Sequence, residues 1–206
     1  MAERPDDIIP QNESGIQTDT EASRECATVE EAKQFYELVK ERLLHVHRWH
    51  DLAGALTAEF QLTDSQGREE KRATREGDYW KIDIPGPGSL TGEGFDWVRV
   101  ERMEEHEDPY TQRLLIRVRP APNPQNEDAD VAHFLSDEAT SSFVVKREAT
   151  KVTATVHGRN EKPNVDTEAV VDKARNAAVA TGAMTAFSKL QWKSLVNGLI
   201  EKEKGT

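Results

Sequence analysis

The chain has one cysteine, Cys26, among its 206 residues. A lone cysteine excludes an intrachain disulfide, so the core must hold the fold, and a reducing cytoplasm is the expected setting. Long apolar runs are also missing. Nothing approaches the ~18 consecutive apolar residues of a membrane span, so no membrane insertion is expected. The opening residues, MAERPDDIIPQNE, lack the apolar segment of a secretory signal. Basic charge is scarce: 27 Lys and Arg face 38 Asp and Glu, for a formal net charge of −11. Without a dense basic patch, nucleic acid is not an expected partner. Aromatic residues make up only 6%, so each ring counts in any core or pocket.

The acidity is unevenly spread. Residues 1–27, 104–108 and 127–138 together carry −14, which leaves the other 162 residues at +3. The bulk of the chain is therefore slightly basic, and residues such as Arg99, Arg117 or Arg119 could meet a carboxylate on a ligand. The two inner acidic segments read as solvated loops. Residues 1–27 hold seven acids against two bases, with Pro5, Pro10 and Gly15 breaking any period. They read as a disordered acidic tail, with too little apolar surface to offset ordering entropy. The alternative is that Ile8, Ile9 and Ile16 mark a short strand. Residues 28–206 read as one α+β domain.

Thr28 followed by Glu31 has capping-box spacing, and Val29, Ala32, Phe35, Tyr36, Val39, Leu43 and Val46 then form one helical stripe. That helix should falter near Gly54. Period-two alternation follows at 55–63, 77–84, 95–103 and 112–119, with a bulge expected near Trp97, where the apolar phase changes. Residues 142–147 and 151–157 flank Glu148-Ala149-Thr150 as a hairpin. Short links favour an antiparallel sheet of about six strands. Asp166 caps a predicted helix from Thr167 to about Lys202, with small residues around Gly182 that permit close packing or a bend.

Several constellations invite chemistry. His45, His47, His50 and Asp51 are zinc-ligand types within seven residues. Trp49 stands where the His-x-His-x-Asp-His signature of metallo-β-lactamase-fold hydrolases places its carboxylate, so no metal is assigned. The glycine-rich segment 85–94 lacks both the Lys-[Ser/Thr] pair of a phosphate loop and a following helix, and no cofactor is expected. Cys26 lies in the predicted tail, without the ordered setting that activates a thiol. Asp83 and His157 end strands beside apolar alternation, yet no catalytic set is assigned. The aromatics are more informative. Trp80 and Trp97 fall on neighbouring strands, and Trp49 and Trp192 on the two long helices.

The order of a helix, Arg48-Trp49-His50, a curved antiparallel sheet, a terminal hairpin and a long C-terminal helix resembles the helix-grip superfamily over residues 28–203. That group includes START-type lipid carriers, polyketide cyclases and aromatases, and plant pathogenesis-related carriers. The family's strand before the first helix would have to come from residues 8–18. The resemblance implies a cavity between sheet and C-terminal helix for a small apolar molecule. The expected ligand-binding residues are Trp49, Phe60, Trp80, Ile82, Trp97, Arg117, Phe143 and Phe187. The alternatives are a cyclase-like or hydrolytic enzyme using His157, Asp83 and Arg117 in that cavity, or an assembly module. In the latter, Leu195, Leu199 and Ile200 beside Trp192 would form a homodimer through the C-terminal helix.

Overall fold

Period-two alternation dominates the middle of the chain. The computed structural model, which describes residues 8–54, 57–84, 93–126, 131–164 and 188–201, turns it into a seven-stranded antiparallel sheet. The strands are β1 (Ile16–Glu25), β2 (Glu59–Thr63), β3 (Tyr79–Asp83), β4 (Asp96–Glu107), β5 (Thr111–Pro120), β6 (Thr140–Glu148) and β7 (Lys151–Glu161), in the spatial order β1-β7-β6-β5-β4-β3-β2. Helix α1 (Val29–Leu44) leads through a 3₁₀ turn (Val46–Arg48) into the short α2 (Trp49–Ala53). A third helix, α3, occupies residues 188–200.

The Thr28 cap of α1 forms as expected, with the Glu31 amide donating to the Thr28 hydroxyl at 3.1 Å, while the Glu31 carboxylate reaches one residue further back and accepts the Ala27 amide at 3.0 Å. The buried stripe of α1 and the apolar face of α3 pack on one face of the sheet, here called the inner face. Register assigns its residues. Phe60 faces Ile82 and Leu62 faces Trp80, Trp80 faces Val98, and Val100 faces Val118. Ile116 faces Phe143, which faces Val156. The end of α3 is tied to α1 by Arg42, whose guanidinium donates to the carbonyls of Leu199 at 2.8 Å and Glu201 at 2.6 Å. These carbonyls have no partner within the helix, so the cation and the helix dipole cooperate there. Gly198 lets α3 approach α2 so closely that a Cβ would collide with the Leu52 carbonyl.

Four expectations are corrected. First, residues 16–25 are strand, not tail: β1 pairs with β7 from Ile16 opposite Glu161 to Glu25 opposite Lys151. The polar alternation of IQTDTEASRE hides an edge strand whose backbone bonds, rather than its apolar surface, hold it. This supplies the seventh strand, and Cys26 is buried in the core. Second, residues 104–107 are the end of β4, half-buried at Glu104 and exposed from Glu105 on, not a loop. Third, the irregularity in β4 lies between Val100 and Arg102, not at Trp97. Fourth, Leu195, Leu199 and Ile200 are buried within the chain, so they do not form an open dimer surface. The part of the predicted C-terminal helix before residue 188, with Asp166, Phe187 and the small residues around Gly182, lies outside the described residues. So does the glycine-rich segment up to residue 92.

Candidate functional site

Trp49, at the start of α2, is the hub of the inner face. Its ring centroid lies 5.1 Å from Phe60, 5.1 Å from Trp80 and 5.2 Å from Phe143. Its indole nitrogen donates to the Arg42 carbonyl at 3.1 Å. Trp192 of α3 closes the group, 5.2 Å from Phe143 and 6.1 Å from Phe60. The space bounded by Trp49, Ala58, Phe60, Gln191, Trp192 and Leu195 leaves essentially no room for a water-sized sphere. The half of the inner face under α3 is thus a filled aromatic core.

The other half lies toward the ends of β3, β5 and β7. Five of the expected residues, Trp49, Phe60, Trp80, Ile82 and Phe143, share the inner face. Next to them stands a residue the sequence reading missed. Asp96 is register partner to Ile82 and lies two residues before Val98, which places it on the same face. It is only 6% exposed. Burial alone pushes its carboxyl up to about 7, because desolvation disfavours the charged form. Among the described residues no cation or hydrogen-bond donor offsets that burial. Trp80, its diagonal neighbour, is fully buried, and its indole N–H has no acceptor among the described residues.

A second buried acid, Glu161, ends β7 at the same end of the sheet. Gly158 makes room for it: a Cβ there would strike the Glu161 carboxylate and the Thr18 hydroxyl. Burial raises the Glu161 carboxyl, while the Thr18 hydroxyl, 3.4 Å away, and the charges of Lys189 and Arg159 pull it back in part. The strand phase shows why Asp96 escaped the sequence reading. The sequence suggests a break of phase near Trp97, between Phe95/Trp97 and Val98/Val100, but β4 runs unbroken through Trp97 in the phase of Val98, and two residues before Val98 is Asp96.

The outer face gathers the remaining expected groups. Trp97 is paired with Lys81 and so points away from the core, although it is buried. Its amide donates to Ala132 and its carbonyl accepts from Ala121. Arg117 also points outward, with its Nε 2.5 Å from Glu101, which in turn binds Arg119 at 2.7 Å. His157 is on this face as well. Its Nδ1 lies 2.6 Å from Asp19, which also accepts from Arg159 at 2.8 Å. A carboxylate is therefore beside His157, but outside the interior that the cyclase-like alternative requires. A groove of about 350 Å³ runs along this face past Ile8, Leu115, Val144, Thr155 and His157.

The histidine string is split. His45 folds back on α1, with Nδ1 2.9 Å from the Glu41 carbonyl. His47, His50 and Asp51 line an open cleft of about 370 Å³ at the β2 edge, together with Glu59, Lys81 and Asp83. Burial and the neighbouring charges of His45, Arg48 and Lys71 lower the His47 pKa. No group of three or more such side chains among the described residues is arranged to hold a metal ion. No helix among the described residues is long and apolar enough to cross a membrane.

No family model matches the chain. No curated protein matches it either. Among solved structures, a hypothetical protein from Helicobacter pylori superposes with a TM-score of 0.51 at 14% identity, over 95% of this chain and 94% of that one. Ara h 8.0201 gives a TM-score of 0.30 at 14% identity, over 87% of this chain and 98% of its own. The di-domain ARO/CYC BexL from the BE-7585A biosynthetic pathway gives 0.36 at 12% identity, over 91% of this chain and 51% of its own. The likeness is one of fold: an antiparallel sheet wrapped against a C-terminal helix, with a helix after the first strand, which is the helix-grip arrangement.

Proposed function

We propose that this protein binds or carries a small apolar molecule, lipid-like or polycyclic, on the inner face of the sheet, without catalysing a reaction on it. One observation supports this reading most. The inner face is apolar from Phe60 and Ile82 to Val98, Val118 and Val156, while His157, Arg117 and Arg119 are turned outward and paired. Apolar surface with few polar groups is what a lipid-like ligand requires. Because the half under α3 is filled, the proposed site lies toward the ends of β3, β5 and β7, with Trp80, Ile82 and Phe143 as its floor. Trp49 and Phe60 stand behind them as support. Phe187 stays a proposed wall. Trp97 and Arg117 are not part of this inner site.

N-phenyl-1-naphthylamine tests the reading, because its emission rises in apolar surroundings and the neighbouring tryptophans can excite it. The expected result is saturable binding of one probe per chain, with a matching adduct in native mass spectrometry. Val118→Trp, which fills the proposed volume from β5, should weaken binding about tenfold with an unchanged circular dichroism spectrum. A non-saturating signal and the absence of any adduct would overturn the proposal.

A further inference from the structure

Asp96 carries information about the ligand, on the premise that the inner face binds one. Its carboxyl is buried on an apolar face, between Ile82 across the ladder and Val98 along the strand. The neighbouring indole N–H of Trp80 also lacks a partner among the described residues. Diagonal neighbours on adjacent strands lie roughly 7–8 Å apart, within reach of one ligand head group. A buried carboxyl with no counter-charge in an otherwise apolar surface is a costly arrangement unless something completes it.

Charge decides what that something is. The arginines that could receive an acidic ligand, Arg117 and Arg119, are on the outer face and engaged by Glu101. Toward the ends of β3, β5 and β7 the inner face instead offers two carboxyls, Asp96 and Glu161. Glu161 already has Thr18 and the field of Lys189, whereas Asp96 has no counter-charge among the described residues. An anionic head would meet like charge there, and a neutral head would supply no counter-charge to the ionised carboxyl. We infer that the ligand is an apolar molecule with a protonated amine as its head, and that the amine pairs with Asp96 beside the Trp80 ring. The ring adds a cation–π contact to the ion pair.

Dodecylamine, dodecanol and dodecanoate, competed against N-phenyl-1-naphthylamine at pH 8 on the full chain, test this directly. The expected order is amine, then alcohol, then carboxylate, with the amine at least about tenfold tighter than the alcohol. Asp96→Asn should bring the amine down to the level of the alcohol, and Asp96→Glu should keep part of the preference. The Trp80 indole N–H resonance should shift with dodecylamine in the wild type, which amine held at the acidic surface would not produce. That resonance keeps the inference testable even if Asp96→Asn does not fold. Alcohol binding as tightly as amine, an Asn variant that keeps the preference, or an unmoved Trp80 resonance would overturn the amine head while leaving apolar binding intact. If none of the probes binds, the binding proposal itself falls, and this inference with it.

Discussion

The two faces of the sheet treat the same residue type in opposite ways. Asp19, on the outer face, is pushed up by partial burial, but hydrogen bonds from Gln17, His157 and Arg159 and the Arg159 charge more than reverse this and hold it at about 2. Asp96, on the inner face, feels desolvation alone and sits at about 7. Glu101 follows the outer pattern: burial raises it, and Arg119 and Arg117 bring it below its usual range. Outside, acids are matched by cations that also reach water. Inside, Asp96 has no matching cation among the described residues, on a face that is otherwise largely apolar. A position that opposes stability in this way is where a function is most often found.

The largest effect expected from breaking this contrast is in the filled half. Trp49→Ala removes a ring packed against three others and should cost about 5 kcal/mol in urea unfolding, the upper end for a buried aromatic. Next comes the pH dependence of the inner acid. The unfolded chain loses the Asp96 proton near pH 4, whereas the folded chain holds it to about pH 7. The folded state is therefore favoured below that window and loses on the order of 4 kcal/mol as pH rises through it. Asp96→Asn has no such proton, so the stability gap between variant and wild type should open by that amount between about pH 3 and 8. Asp19 has the opposite sign. Its contribution is present above about pH 4 and is lost as pH falls toward 2, so an Asp19→Asn series should diverge only in acid.

Smaller effects sharpen the same picture. Gly198→Ala puts a methyl group against the Leu52 carbonyl, and overpacking of this kind should cost about 2 kcal/mol in thermal or chemical unfolding. On the outer face, Arg119→Ala leaves Glu101 with Arg117 as a partner and should change stability by less than about 1 kcal/mol. If Arg119→Ala matched the Gly198→Ala loss, the outer pairs would be structural rather than solvent-matched.

Much of this architecture is legible in the sequence, because period and caps are local signals. The stripe of α1, its Thr28–Glu31 cap and the alternation of β2, β3 and β5 all follow from spacing. Three features escaped for a physical reason. β1 is held by backbone bonds to β7 at a sheet edge, so its side chains need not alternate in hydropathy. In β4 the residues Phe95 and Trp97 are apolar on the outer side, which disguised the phase and hid Asp96. Which face Arg117 and His157 take depends on register across neighbouring strands, and no single segment of sequence encodes that. The aromatic group around Trp49 was readable as a set, yet composition could not show that its α3 side would be filled rather than open.

A carbon-13 titration of the Asp96 carboxyl, followed in the free protein and with dodecylamine present, tests the central claim most directly. The account predicts a midpoint near 7 in the free protein, falling by at least one pH unit when the amine is bound. A midpoint in the ordinary carboxylate range near 4, or one that dodecylamine leaves in place, would contradict it.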